Sequence, residues 1–208
     1  MDIHGYMAGF LMSEMAGRSS VIEKIKKFSP NLNKNSIETE IIVKKLKELE
    51  NKGYEYEVAE SSFELIVRKC LGKYKTFFEL DTYKIIGEQP SNNNELNITA
   101  MVKIKVGNKY EITAAEGDGP VHALDKALRK ALGVFYPELS KVHLTDYKVR
   151  VLDTKSATAS KVRVLIESTD GINKWSTVGV STDIIEASLK ALLDSIEVKL
   201  YQDYINEK

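Results

Sequence analysis

The chain has 208 residues, of which 43% are hydrophobic and 29% charged, so it can bury one sizeable core or two small ones. Thirty Lys and Arg residues balance thirty Asp and Glu residues, and this net charge of zero excludes a global positive field for nucleic acid or an anionic membrane. The single cysteine, Cys70, excludes an internal disulfide, and no apolar run approaches the roughly 18 residues of a membrane span. We therefore expect a reduced, cytoplasmic protein.

The N-terminal third is predicted to be helical. Residues 1–17 are rich in methionine, lack the basic start of a signal peptide, and are interpreted as a linker remnant or an artificial junction. Residues 18–75 form a predicted helical subdomain with three helices, at about 19–28, 37–52 and 60–71. Ser36 is an N-cap candidate for the second of them, with Thr39 at N3. Cys70 falls on the apolar stripe of the third helix, so we expect a buried thiol.

Beyond Tyr74 the hydrophobic period changes from 3.6 to 2, and the chain repeats itself. Tyr83-Lys84 recurs as Tyr147-Lys148, an offset of 147 − 83 = 64 residues. The same offset superposes three further segments without a gap, which bring Ile98 onto Val162, Gly107 onto Gly171 and Ala123 onto Ala187. Agreement in four segments at one offset indicates a structural duplication.

Each copy is predicted to consist of three strands followed by a helix. The strands of the first copy are expected at about 77–86, 96–106 and 109–114, and those of the second at about 142–152, 161–168 and 174–180. The helices are expected at about 120–135 and 184–200, with apolar stripes that cover the sheets. The predicted fold is α+β: residues 76–208 form two βββα units, at about 76–137 and 140–204, behind the helical subdomain. Such thin sheets favour pairing of the chain with a second copy as a homodimer.

The two helix starts are the most site-like places in the sequence. Gly117 and Gly119 precede Pro120 in a glycine-rich turn, and Asp183 with Glu186 forms a capping box at the equivalent start in copy two. Free N–H groups near Gly119 suit a carboxylate or phosphate, although both segments are also ordinary helix caps. The dinucleotide and P-loop fingerprints are incomplete or missing, and the three histidines lie in different elements without metal-ligand spacing. We therefore expect no metal site and no catalytic residue.

Five stretches carry a family resemblance: SEMAGRS (13–19), GYEYEVAESSFEL (53–65), AAEGDGPVHAL (114–124), LTDYKVRVL (144–152) and TVGVSTDIIEAS (177–188). Over roughly residues 13–204 the chain resembles the C-terminal regulatory region of the isopropylmalate, citramalate and homocitrate synthases, most of all the longer type of citramalate synthase. That resemblance implies a feedback-regulatory and dimerising module. In the family, an N-terminal TIM barrel with a divalent metal condenses acetyl-CoA with a 2-oxo acid, and the C-terminal domain binds the end-product amino acid.

The resemblance also implies partners and an effector site. We expect isoleucine as the effector of a citramalate synthase, a catalytic barrel of the same polypeptide as a partner, metal and acetyl-CoA only in that barrel, and no turnover by this chain alone. The alternatives are the leucine-binding region of a 2-isopropylmalate synthase and a free-standing amino-acid-binding dimer. The effector-binding residues implied by the motifs lie near a dimer interface, at Gly119, Pro120, Val121, Ala123, Leu144, Asp146, Tyr147, Val149, Thr182, Asp183, Ile184 and Ile185.

Overall fold

A computed structural model describes residues 19, 21–33, 35–88, 97–152 and 160–206. The predicted linker 1–17, most of the 13–19 motif and the first residue of the strand expected at 96–106 lie outside these ranges. The described residues divide into two compact units, one within Met1–Lys52 and Glu64–Tyr74, the other within Gly53–Phe63 and Lys75–Lys208. Among the described helices, none combines the length and hydrophobicity that a membrane span requires.

The N-terminal part of the described chain contains helices in the predicted places. Helix α1 covers residues 21–28, α2 is Ile37–Asn51, and α3 begins at Glu60 and ends at Cys70. Ser36 caps α2 as expected, since its hydroxyl accepts a hydrogen bond from the Thr39 amide at 3.3 Å. The prediction of a buried Cys70 was wrong, because this residue ends its helix and is only half-buried. The partial burial still raises the pKa of the Cys70 thiol.

The second unit confirms the α+β class and the duplication. The element order is β1 (Glu79–Glu88), β2 (Asn97–Val106), β3 (Lys109–Gly117), α4 (Pro120–Gly133), a 3-10 turn (Pro137–Lys141), β4 (His143–Val151), β5 (Val162–Thr169), β6 (Lys174–Ser181) and α5 (Ile184–Asn206). Two three-stranded antiparallel sheets result, with strand orders β1-β2-β3 and β4-β5-β6.

The repeat extends to the details of strand pairing. Leu80 pairs with Ile104 before a bulge, and the equivalent Leu144 pairs with Ser168 before a bulge at the same place. A side-chain bond to the helix is duplicated as well. Thr113 donates to the Ala127 carbonyl at 2.9 Å in copy one, and Thr177 donates to the Ala191 carbonyl at 2.8 Å in copy two. The 64-residue offset therefore describes one three-dimensional unit used twice.

Each helix packs closely on the second and third strands of its own sheet. Helix α4 lies on β2 and β3, and α5 lies on β5 and β6. Glycines permit this approach, because a Cβ on Gly117 would overlap the Ala123 backbone amide and a Cβ on Gly179 would overlap the Ala187 carbonyl. The core between each helix and its sheet is formed by buried apolar side chains, among them Val102, Ile104, Leu124, Leu128, Val164, Ile166, Leu192 and Ile196.

The segment Gly53–Phe63 packs on copy two within the second unit. Arg163 on β5 donates from Nε to the Gly53 carbonyl at 2.6 Å and pairs with the carboxylate of Glu55. The hydroxyl of Ser62 accepts from the Val178 amide at 3.1 Å and donates to Asp194 at 2.6 Å, so it joins β6 to α5. This segment carries part of the sequence motif at 53–65, and its Ser62 hydroxyl satisfies a backbone amide of β6.

A buried ion pair ties the β5–β6 turn to the end of α5. The Lys199 ammonium lies 2.7 Å from Asp170 and 2.8 Å from Asp203, and the Asp170 side chain is only 5% exposed. Asp170 also accepts from the backbone amides of Ile172 and Asn173. The hydrogen bond from Lys199, followed by these amides, holds the pKa of Asp170 far below its usual range.

Candidate functional site

A cleft of about 530 Å³ lies between one face of α4 and the first half of β4. Because α4 belongs to copy one and β4 to copy two, the two repeats meet here. The wall has an apolar part and a charged part, and its residues are Val121, His122, Asp125, Arg129, Val142, His143, Leu144 and Tyr147. A cavity of this size, mostly apolar with a few convergent polar groups, suits a small molecule.

The charged part of the wall is the ion pair of Arg129 with Asp125. The Arg129 Nε lies 2.9 Å and 3.0 Å from the two carboxylate oxygens of Asp125, and its Nη1 donates to the Val142 carbonyl at 2.9 Å. Both side chains are 15% exposed. The remaining nitrogen, Nη2, is buried and has no hydrogen-bond partner among the described residues. Arg129 therefore links α4 to the residue before β4, and its Nη2 donor has no partner among the described residues.

The mouth of the cleft carries two histidines. His122 Nδ1 lies 3.3 Å from the Asp118 amide and 3.2 Å from the Asp118 carboxylate. The neutral ring accepts from the amide, whereas a protonated ring pairs with the carboxylate. His143 Nδ1 lies 3.2 Å from the Lys141 carbonyl. Both rings are exposed, so they add polar character to the rim.

Tyr147 connects the cleft to the start of α5. Its hydroxyl lies 2.8 Å from the Ser188 hydroxyl, and Ser188 donates to the Ile184 carbonyl at 2.6 Å. Since the serine has a single proton and directs it to Ile184, the tyrosine is the donor of the first bond. The predicted regions around 144–149 and 182–185 are therefore joined through one tyrosine side chain.

The two helix starts differ in a way that the repeat makes visible. In copy two, Asp183 caps α5 by accepting from the amides of Ile185 and Glu186, at 2.7 Å and 3.2 Å. In copy one the N-cap is Gly119, and no side chain caps this described helix. The first-turn amides of α4, at Val121 and His122, therefore keep the anion-binding character that Asp183 removes from α5.

The structure brings three of the predicted effector residues into the cleft: Val121, Leu144 and Tyr147. Gly119 and Pro120 immediately precede the cleft wall on α4. Thr182, Asp183 and Ile184 are exposed at the start of α5, with the half-buried Ile185 beside them, and Val149 is exposed further along β4. Ala123 is fully buried among core residues.

Asp146, predicted as a partner for an ammonium group, already has local partners. One carboxylate oxygen accepts from the Tyr147 amide at 2.9 Å, and the other contacts Lys148. The hydrogen bond from Lys148 lowers the pKa of Asp146, so this group is an anion at neutral pH. An ammonium ligand would have to compete with Lys148 for it.

Sequence reasoning missed five lining residues, namely His122, Asp125, Arg129, Val142 and His143. One signal was available, because Val121, Asp125 and Arg129 are spaced by four and share a helix face. The opposite wall had no local signal, since it depends on β4 passing beside a helix of the other copy. The described residues contain no group of three or more His, Cys, Asp or Glu side chains able to hold a metal ion.

Comparison with known proteins gives a consistent result. The family model of the LeuA allosteric (dimerisation) domain matches residues 57–200. The chain is 46% identical over 201 residues to an (R)-citramalate synthase of Geobacter sulfurreducens, and the match covers 97% of this chain and 38% of that protein. It is 45% identical over 202 residues to an (R)-citramalate synthase of Aquifex aeolicus, with 97% and 38% covered.

A 2-isopropylmalate synthase of Aquifex aeolicus is more distant, at 27% identity over 198 residues with 94% of this chain and 35% of that protein covered. The chain thus spans less than two fifths of the length of these relatives. The similarity covers both βββα copies and most of the helical segment, so it extends well beyond the cleft.

Proposed function

The chain belongs to the family of LeuA allosteric (dimerisation) domains, and we propose that it is the regulatory, dimerising region of an (R)-citramalate synthase that binds isoleucine as feedback inhibitor. The enzyme would condense acetyl-CoA with pyruvate in a catalytic barrel of the same polypeptide. The observation that supports this proposal is the cleft between α4 and β4, which combines uncapped helix amides with an apolar wall. The greater identity to citramalate synthases favours isoleucine over leucine as the effector.

The cleft has the groups that a branched amino acid needs. The amides at the start of α4 can hold the carboxylate, because the helix end is positive and Gly119 contributes no competing side chain. Strand β4 is an edge strand of its sheet, so carbonyls on its unpaired side, together with Asp146, can accept from the ammonium. Val121, Leu144 and Tyr147 provide the apolar surface. Burial of a branched side chain there favours it over a polar amino acid by about 1.5–3 kcal/mol.

Calorimetric titration of the 208-residue chain with isoleucine, leucine, valine and serine tests this proposal. Isoleucine should bind most tightly and serine not measurably. A matched pair of variants locates the site: Tyr147→Ala should lose binding, whereas Tyr110→Ala, which removes an exposed tyrosine from the other sheet, should retain it. Absence of binding by all four amino acids to a folded chain would refute the regulatory role.

The same proposal includes a homodimer. Light scattering at micromolar concentration should give twice the chain mass of 23.4 kDa. A monomer under these conditions would contradict the dimerising role, even if isoleucine binds.

A further inference from the structure

A second cavity continues the line of the cleft along α4. It also has a volume of about 530 Å³, and it lies between the end of α4 and the 3-10 turn, with Lys130, Gly133 and Leu139 in its wall. We name it the distal cavity. The cleft and the distal cavity share two lining residues, Arg129 and Val142. The two spaces are therefore adjacent and meet at this one pair of residues.

Both spaces follow one face of α4. The residues of this face are spaced by four, and they are Val121, Asp125, Arg129 and Gly133. Val121 and Asp125 line the cleft, Gly133 lines the distal cavity, and Arg129 lines both. From Val121 to Gly133 the helix rises by about 18 Å. A groove of that length therefore runs along α4, and its far end is open, since a Cβ on Gly133 would meet no described atom within 4 Å.

The Arg129 side chain divides this groove. Its Nη1 donates to the Val142 carbonyl at 2.9 Å, and its Nε lies 2.9 Å and 3.0 Å from the carboxylate oxygens of Asp125. The guanidinium thus bridges from the helix to the residue before β4, and we name this bridge the partition. Because helical side chains lean towards the N-terminus of their helix, and this one reaches Asp125, the guanidinium lies about one helical turn beyond Val121.

We propose that the partition limits the length of the ligand that the cleft accepts, which makes Arg129 a specificity-determining residue. This inference rests on the proposed function, in which the ligand carboxylate lies at the start of α4. A side chain that extends from there along α4 meets the guanidinium after about one turn, or about 5–6 Å. The branched chain of isoleucine ends within this distance, whereas a longer unbranched chain would have to displace Arg129.

Displacement of Arg129 by an apolar chain is unfavourable. It would separate the guanidinium from Asp125 and break the bond to Val142, at a place where both charged side chains are only 15% exposed. A mostly buried carboxylate that loses its partner is costly, and an alkyl group offers it no hydrogen bond. The distal cavity itself would accept an alkyl chain, because Leu139, which is 1% exposed, forms part of its floor. The partition therefore closes off apolar space that a longer ligand could fill.

Calorimetric titration with amino acids of increasing length tests the partition. The ligands are isoleucine, norleucine and 2-aminooctanoate, and the proteins are the wild type, Arg129→Ala and Lys130→Ala. The wild type should bind 2-aminooctanoate at least about ten-fold more weakly than norleucine. In Arg129→Ala the order should reverse, because each methylene that enters the distal cavity raises the affinity about four-fold, or about 15-fold for two.

Lys130→Ala is the matched control. It removes a neighbouring positive charge from the wall of the distal cavity and leaves the partition intact, so it should keep the wild-type order of affinities. Tighter binding of 2-aminooctanoate than of norleucine by the wild type would overturn the inference. Equal weakening of all three ligands in Arg129→Ala would also overturn it, because a merely structural role of Arg129 predicts losses and no gain for the longest ligand.

Circular dichroism checks that the variants are folded. If Arg129→Ala is not, Arg129→Lys keeps a positive charge beside Asp125. Its single ammonium lacks the planar fork that bonds Asp125 and Val142 together, so the partition is weakened. Arg129→Lys should bind 2-aminooctanoate about four-fold more tightly than the wild type does, and an unchanged affinity would contradict the partition.

Titration of the same proteins with hexanoate and octanoate, which lack the ammonium group, separates this inference from the proposed function. A wild type that binds isoleucine, with an unchanged length preference in Arg129→Ala, removes only the partition. If the wild type binds no amino acid but Arg129→Ala binds octanoate at least about ten-fold more tightly than the wild type does, the regulatory proposal falls and the partition stands. Absence of binding by every ligand to both proteins would overturn both.

Discussion

The most informative single substitution is Gly119→Asp, which should stabilise the fold while weakening effector binding. The backbone at Gly119 is extended, with φ −162° and ψ 169°, and a Cβ there meets nothing within 4 Å. The equivalent residue of copy two is already an aspartate, and it caps α5 through two amides. An aspartate at 119 can therefore adopt the same cap on α4.

The expected stabilisation can be worked out from this comparison. Replacing glycine by a better N-cap contributes a few tenths of a kcal/mol, and a negative charge at a helix start about 0.3–1 kcal/mol. Loss of glycine freedom in the unfolded chain adds about 0.4–1 kcal/mol. Repulsion from the neighbouring carboxylate of Asp118 offsets part of this sum. A net gain of about 1 kcal/mol should raise the Tm by about 2–4 °C for a chain of this size.

The effect on binding has the opposite sign. Two carboxylates about 4 Å apart at an effective dielectric constant of about 20 repel by about 4 kcal/mol. Since Gly119 is half-buried, we reduce this to about 2–3 kcal/mol, which lowers isoleucine affinity by about 30- to 150-fold. Gly119→Asn is the matched control, because it has the same shape and caps a helix without a charge.

Calorimetry with isoleucine and leucine measures the loss of affinity, and thermal unfolding measures the gain in stability. Both are carried out on the wild type, Gly119→Asp and Gly119→Asn. Unchanged affinity in Gly119→Asp would show that the carboxylate binds elsewhere. Equal losses in the Asp and Asn variants would show that bulk, rather than charge, excludes the ligand. A lower Tm in Gly119→Asp would refute the comparison of the two helix starts.

Three further predictions concern the stability of the fold and the exposure of Cys70. Asp170→Asn should lower the free energy of unfolding by about 2 kcal/mol above pH 5, because it weakens the buried bond to Lys199. Since folding depresses the pKa of Asp170, the stabilisation by this carboxylate is present above the unfolded pKa near 4 and is lost as the pH falls below it. Urea unfolding across pH 3–7 should show the difference between wild type and variant shrink at the acidic end, and a pH-independent difference would contradict the assignment. Gly179→Ala should destabilise the chain by at least about 3 kcal/mol, because the added Cβ would overlap α5. Gly133→Ala is the control, since a Cβ there meets open space, and it should change stability by less than about 1 kcal/mol. Similar urea midpoints for the two variants would refute the close packing of α5 on β6. Because its thiol is half-buried and its pKa is raised, Cys70 should react with a thiol reagent at pH 7.5 at least about ten-fold more slowly in the native than in the unfolded chain, and equal rates would disprove this.

The sequence by itself determined the helices, the strands and the internal repeat of this protein. Alternation at positions such as Ile98, Ala100 and Val102 predicts strands, spacing by three and four predicts helices, and the 64-residue offset predicts that three strands and a helix occur twice. These features depend on neighbours in the chain, and the structure places the strands and helices within a few residues of the prediction, except that α5 continues beyond the expected end at about 200 to Asn206. The helix start at Gly119, with Val121 in the cleft wall, could be identified for the same reason.

Only the tertiary structure decided how the units are placed side by side. Arg129 reaches Val142, and Arg163 reaches Glu55, because distant parts of the chain pack together, and no local period encodes either contact. The exposure of Val151 has a similar origin. Close approach at Gly179 draws α5 over β5 and β6, and one helix is too narrow to cover a third strand as well. Lateral placement depends on the fit of many side chains at once, so the cleft and the exposed side of β4 appear only when the whole sheet and its helix are assembled.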